Sequence, residues 1–335
     1  MGLLRSVWTA ALWLGLGAGA VSPAMESSAI AQEIEPTNQV YLPEEAPGCG
    51  CDLGLDCCLP DWHVSANAIF LGRSTPGGGA IVATNPALVP ISSSGDFDFG
   101  WNGGIDLALT RRLANGDSLQ VRFFGIDSIA TTALVSPSSF IGAGFTGPGG
   151  TAISGRYVTS LDNTEINWRR ACSERLTWLA GFRWIELKDE MNYRIGPVAR
   201  SEYEYNNHMY GGQLGLDYLV IDGSGPWQIN AIGKAGIFAN IADGGIAEFG
   251  PGPIGGFRTT ETRAAFVGEL GVTASYHVTE QFAFRMGYEL LFLGNLGLAS
   301  DNAAASISNP SLLAANVYTG DLFYHGVTAG IEYVW

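Results

Sequence analysis

From Phe323 to Trp335 the sequence reads FYHGVTAGIEYVW, and it divides by parity. Phe323, His325, Val327, Ala329, Ile331, Tyr333 and Trp335 take one set of alternate positions. Tyr324, Gly326, Thr328, Gly330, Glu332 and Val334 take the other. Successive strand side chains point to opposite faces, so this stretch predicts a strand with one apolar face and one small, polar face. The same pattern recurs along the chain. It predicts strands over Trp62–Leu71, Phe99–Thr110, Ser118–Asp127, Arg156–Arg169 and Arg175–Glu186. Others end at Tyr218, begin at Trp227, and cover Arg263–Tyr276 and Phe282–Leu293. In the second, Trp101, Ile105, Leu107 and Leu109 oppose Asn102, Asp106 and Thr110. The fourth is irregular: Ile166 and Trp168 oppose Glu165, Asn167 and Arg169, but Tyr157 and Leu161 fall on the polar parity. A β-bulge near Asp162–Asn163 would reconcile them.

No run after the first 20 residues is apolar and long enough for a membrane helix. Yet only 15% of residues are charged, against an average near 25%. Alternation makes a chain apolar in composition without apolar segments, and transmembrane barrels require alternation. The expected fold is therefore an all-β, transmembrane, antiparallel up-and-down β-barrel of about ten strands. Link lengths agree. Short links are expected around 111–117, 170–174, 219–226 and 277–281, and long ones around 73–98, 128–155, 187–202, 240–262 and 294–322. Strict short-long alternation is the mark of short periplasmic turns and long extracellular loops. One short link holds Asn115-Gly116, which tight hairpins favour. An even strand count puts both barrel ends in the periplasm. Trp62, Trp168, Trp178, Tyr218, Trp227, Tyr276, Phe282 and Trp335 then fall at the periplasmic strand ends, as an interfacial aromatic girdle.

The front of the chain predicts an address. One positive charge in Met1–Arg5 precedes an apolar stretch over Val7–Val21, and Ala29-Ile30-Ala31 precedes Gln32. This reads as a secretory signal peptide over 1–31, with a cut after Ala24 as the alternative cleavage and an N-terminal membrane anchor as the rival. Residues 32–60, rich in Pro, Glu and Cys, read as a periplasmic linker to a barrel over 61–335. Cys49, Cys51, Cys57 and Cys58 sit in that linker and Cys172 stands alone. Export favours disulfides among the five, with Cys172 pairing back to the cluster as one arrangement. A metal site is the other reading, although the spacing does not match the usual zinc patterns.

The polar parity collects charge. Asp106, Arg122, Glu165, Arg169, Arg183, Asp217, Lys234, Glu269, Arg285, Glu289 and Glu332 are all expected to face inward, five cations against six anions. The formal charge of −15 therefore resides mostly in loops, turns and the N-terminal segment, and an acidic exterior repels nucleic acid. Ten strands enclose little more than a side-chain-filled interior. Two readings follow: a pairing network that fills the lumen, or a narrow pore for small hydrophilic solutes. Catalysis has a thin case. His63, His208, His277 and His325 are scattered, no Gly-x-Ser-x-Gly elbow occurs, and the Gly-Pro runs lie in expected loops. Asp127, Asp189, Glu190, Glu202 and His208 could meet at the outer rim, but rim carboxylates are ordinarily solvated. No enzyme, cofactor or metal is expected.

Taken in order, CCLPDWHVSANAIFLGRS, FGWNGGIDLALTRRLANGDSLQVRFFGID, EINWRRACSERLTWLAGFRWIEL, YNNHMYGGQLGLDY, FVGELGVTASYHVTEQFAFRMGYELLFLGNLGLA and FYHGVTAGIEYVW resemble the beta-barrel porin-7 family of planctomycete-type bacteria. The likeness runs over nearly all of 57–335. It implies an outer-membrane barrel and supplies no catalytic residues. The terminal strand is also similar to the closing strand of bacterial outer-membrane barrels. That likeness implies recognition by the barrel-assembly machinery through Trp335, beside outer-membrane lipid as the bulk partner.

Overall fold

The computed structural model describes residues 61–74, 81–84, 90–135, 140–142, 145–147, 153–195, 199–222, 225–249, 255–308 and 317–335. The expected signal peptide, the linker and Cys49, Cys51, Cys57 and Cys58 lie outside the described residues. Ten strands close into one antiparallel barrel. They are β1 (Trp62–Arg73), β4 (Trp101–Arg112), β5 (Ser118–Val135), β8 (Ile153–Ala171), β9 (Leu176–Ile195), β10 (Ala199–Asp222), β11 (Trp227–Phe249), β12 (Gly256–His277), β13 (Phe282–Gly297) and β14 (Thr319–Val334). Each pairs with the next, and β14 pairs back to β1. Four short strands, β2 (Ile81–Thr84), β3 (Pro90–Ser93), β6 (Phe140–Gly142) and β7 (Phe145–Gly147), form a separate small sheet. A helix, α1 (Ala299–Ser308), precedes β14.

The alternation expected from sequence sets the two faces. Leu214, Ile237 and Met286 expose 66%, 72% and 67% of their surface outward, and Phe70, Ile105 and Ile331 on β1, β4 and β14 are exposed on the same face. An apolar wall of this extent faces hydrocarbon rather than water, so the barrel is transmembrane in character. The turn at 113–117 is as tight as Asn-Gly suggests. Gly116 takes φ +81°, and Leu113 N donates to Asp117 O at 2.8 Å.

Above the band the strands do not stop. β8 to β12 run 19, 20, 24, 23 and 22 residues. Roughly 9–11 residues cross a bilayer, so about half of each strand stands beyond the apolar wall. This corrects the expected long loops at 187–202 and 240–262. β9 continues to Ile195 and β10 starts at Ala199, while β11 continues to Phe249 and β12 starts at Gly256. The cause is a reversal of phase. On β9, Phe182 and Trp184 face out, but beyond them Ile185, Leu187, Met191 and Tyr193 are buried inside while Lys188 and Arg194 are exposed. The pattern turns from apolar-out to apolar-in within one unbroken strand.

The same reversal corrects the expected bulge at Asp162–Asn163. β8 pairs with β9 without a register break, and Tyr157 and Leu161 point inward with Glu165 and Asn167. The one irregularity of the β5–β8 ladder lies on β5, between Ile126 and Ile129. The link after β13, expected as an outward loop, instead turns inward. Leu298, Ala299, Asn302 and Ala303 are buried in the barrel mouth.

The seam joins the two ends of the barrel. β1 and β14 pair continuously from His63↔Val334 to Arg73↔Tyr324. Trp62 and Trp335 exchange backbone hydrogen bonds of 3.1 and 3.0 Å, and their rings stack at 6.3 Å. Inward Gly326 faces β1 so closely that a side chain there would meet the carbonyl oxygen of Phe70. Gly326→Leu should therefore abolish the compact form on unheated SDS gels, while outward Ala329→Leu should retain it. A compact Gly326→Leu protein would show that closure does not depend on this approach.

Candidate functional site

The interior is layered from the turn rim upward. At the rim, Asp117 collects a fork of Arg170 hydrogen bonds at 2.7 and 2.9 Å and the Trp168 indole N–H at 3.1 Å. The Arg170 guanidinium also lies 4.7 Å over the Trp168 ring. These Arg170 hydrogen bonds hold the Asp117 carboxyl below its ordinary value of 3.8. Inside the barrel at this end, Arg169 binds Asp217 at 2.5 Å, His63 meets Glu332 at 2.8 Å, and Arg285 meets Glu332 at 3.3 Å.

The middle layer is a belt. Arg122 reaches Asp106 at 2.8 Å, Glu269 at 2.7 Å, Glu289 at 2.6 Å and Glu165 at 3.5 Å. Arg183 binds Glu269 at 2.7 Å, and Lys234 binds Glu165 and Glu269 at 2.8 Å each. Gln213 donates to Asn167 at 2.8 Å, and Asn67 donates to Asp106 at 3.2 Å. The network touches nine of the ten barrel strands. Glu165 and Arg183 are fully buried. The eleven charged residues singled out in the sequence thus all face the interior, each beside an opposite charge. The sequence did not reveal which partner each takes.

Over the belt lies an apolar layer built from Phe124, Ile126, Leu161, Ile185, Leu187, Leu293 and their neighbours. Embedded in the mouth is a further buried ion pair, absent from the charged set that parity picks out. Arg73 donates to Asp189 at 2.6 Å, with both side chains out of solvent. Tyr157 donates its hydroxyl to Asp189 at 2.6 Å, and Ala299 at the start of α1 donates its N–H to Asp189 at 2.9 Å. A carboxylate at a helix N-terminus satisfies an otherwise orphaned donor and opposes the helix dipole. The Arg73 guanidinium lies over Phe99 and Tyr157, 4.5 and 4.8 Å from the ring centres. Asn207 exchanges bonds with Gly297, donating at 2.8 Å and accepting at 2.8 Å. Asn302 donates to Tyr318 O and accepts from Tyr318 N, at 2.8 and 3.0 Å. The first turn of the helix is therefore pinned into the mouth. Inward parity beside Leu187 and Met191 was the available signal that Asp189 is internal. Its placement among rim residues is corrected, because the strand does not end below it.

The aromatic residues separate into two bands. Trp168 packs edge-on against Trp178 at 4.9 Å, Trp227 against Tyr276 at 4.9 Å, and Tyr218 and Phe282 flank them at the turn rim. A second set crosses the far edge of the apolar wall: Trp184 stacks on Tyr210, and Trp101 meets His325 edge-on. Tyr288 and the His325 Nδ1 are hydrogen-bonded at 2.8 Å. The sequence reading marked only the first set. Cys172 stands exposed on the 172–175 turn as a free thiol.

No protein-family profile matches this chain. No curated protein matches it either. Among solved structures, the outer membrane protease OmpT from Escherichia coli aligns at a TM-score of 0.47 and 10% identity, over 84% of this chain and 99% of that one. The translocator domain of the autotransporter NalP from Neisseria meningitidis aligns at 0.39 and 12%, over 84% and 91%. The Pseudomonas putida toluene transporter TodX aligns at 0.33 and 9%, over 82% and 89%. At such values the likeness carries no inference about activity.

Two predictions follow from the layers. Arg122→Ala leaves Asp106, Glu269 and Glu289 facing one another in a dry interior, and removing one partner of a buried network costs about 3–5 kcal/mol. Urea unfolding in lipid vesicles should report a loss of that order; a loss below about 1 kcal/mol would mean water replaces the guanidinium. At the rim, the lowered pKa of Asp117 contributes stability that is full above 3.8 and fades as pH falls through the folded value. Asp117→Asn should lower the urea midpoint at pH 7, and the difference from wild type should shrink steadily below pH 3.8. A pH-independent difference would assign the effect to geometry rather than charge.

Proposed function

We propose that the chain is an outer-membrane β-barrel closed to solutes, whose tall strand ends form a head presented outside the membrane. The observation that carries this reading is the filled interior. A charged belt, an apolar layer and a pinned helix follow one another along the axis, and Arg183, Glu165, Asp189 and Tyr324 are essentially without solvent contact. The membrane assignment is supported by the apolar wall, the aromatic bands on both of its edges, and closure without a free edge. An exported leader over 1–31 and membership of the beta-barrel porin-7 family belong to the same proposal, as does assembly through the terminal strand.

Catalysis is not part of it. Asp189 is committed to Arg73, Tyr157 and α1, while Asp127, Glu190, Glu202 and His208 lie on the outward parity of the head. The second reading is a pore for small hydrophilic solutes, favoured by the polar lining below the apolar layer. It requires both the belt and the mouth to open.

Recording from refolded protein in a planar bilayer separates the two. Wild type should be silent. A variant carrying Arg122→Ala and Arg183→Ala, with residues 299–308 replaced by a Gly-Ser linker, should give discrete steps. Reproducible steps from wild type would overturn the closed reading and restore the pore.

A further inference from the structure

The head carries one patch whose charge runs against the rest of the chain. The protein has 17 Lys and Arg against 32 Asp and Glu. Three of those 17 lie within six adjoining positions at the strand ends. Arg194 sits between Ser154 on β8 and Arg200 on β10, directly opposite both. One row below, Asn192 sits between Arg156 and Glu202. All six are even-numbered on strands whose even positions face outward here. Residues directly opposite on one sheet face hold their Cβ atoms about 5 Å apart, and like charges so placed repel. Glu202 answers Arg200 at 3.3 Å. Among the described residues, Arg156 and Arg194 have no carboxylate partner. The three arginines line one open crevice of about 370 Å³, with Thr132, Asn192 and Glu202 beside them.

We propose that this crevice binds the anionic groups of an acidic polysaccharide through Arg156, Arg194 and Arg200. A planar guanidinium matches carboxylate, sulfate and phosphate with two parallel hydrogen bonds, and an anion between Arg194 and Arg200 turns their repulsion into attraction. Thr132, Ser154 and Asn192 add neutral partners for sugar hydroxyls. The position argues against a bilayer headgroup as the source. Along β9 the first polar outward residue past Trp184 is Glu186, and Arg194 lies eight residues further, about 27 Å along the strand. At the edge of the apolar wall the outward charges are mostly carboxylates instead: Glu186 lies directly opposite Asp162, Asp127 is close to Asp162, and the nearby Lys188 is already paired with Glu186 at 3.3 Å. Lipid phosphates at that level meet negative charge. Anions of a polymer reaching past the headgroups meet the arginines.

The inference rests on the proposed function only in placing the head outside the membrane. The test uses the full chain in zwitterionic nanodiscs, with fluorescent dextran sulfate as the polyanion, neutral dextran as its control, and vesicles containing anionic lipid as a third arm. Dextran sulfate should bind with an affinity that falls as salt rises, and neutral dextran should not bind. Arg156→Gln with Arg194→Gln should weaken binding about tenfold or more. Arg258→Gln, removing an exposed head arginine paired with Glu204, should change it less than about twofold. Unheated gels establish that each variant is folded. Equal affinity in the double variant overturns the proposal, as does equal binding of neutral dextran. Binding to anionic vesicles alone, without the free polymer, assigns the patch to lipid and also overturns it. None of these readouts depends on whether the barrel conducts, so failure here is distinct from failure of the closed reading.

Discussion

A sheet in hydrocarbon cannot leave a row of backbone N–H and C=O groups unpaired, since each costs several kcal/mol without water. The pairing of β1 with β14 meets that demand, and the rest of the molecule follows from it. The seam joins residues more than 250 positions apart, from His63↔Val334 upward, and is finished by the reciprocal bonds of Trp62 and Trp335. Closure at ten strands fixes a narrow interior. It leaves room for side chains and little else.

What fills that interior is decided by height. Near the turn rim and through the middle, inward positions carry charge, and the low dielectric makes any unpaired charge costly. The belt answers by sharing: Arg122 serves four carboxylates, and Glu269 receives Arg122, Arg183 and Lys234. Several strands are thereby tied across the lumen as well as along the sheet. Higher up, the interior is a core like that of a water-soluble β-protein, with aromatic and aliphatic side chains packed around Arg73, Asp189 and the start of α1.

The change of character coincides with the upper edge of the apolar wall. Below it the outside is lipid-like and the inside polar. Above it the outside is wet and the inside dry, and β8 to β12 pass through the transition without a break in pairing. The helix then has a physical role. It supplies apolar side chains to the mouth, where β1, β4, β13 and β14 end lower than the other six strands. Among the described residues the head is built from continuously paired strands rather than from loops alone.

Much of this was legible along the chain. Period-two alternation located each of the ten barrel strands, Asn115-Gly116 marked a tight turn, and parity put Arg122, Arg183, Lys234, Glu165 and Glu269 inside. Alternation reports which side of a strand meets which solvent, and within the band that solvent is uniform. It failed where the solvent changed. Leu187, Met191, Tyr203 and Tyr205 keep strict alternation in the opposite phase, so a rule of apolar-out takes them for loop. Tyr157 and Leu161 carry the same opposite phase, which alternation alone mistakes for a bulge. Partner choice was never in the sequence. Arg122 meets Glu269 across 147 positions and Arg73 meets Asp189 across 116. The tilt and stagger of the closed sheet set those meetings, and only the tertiary structure fixes them.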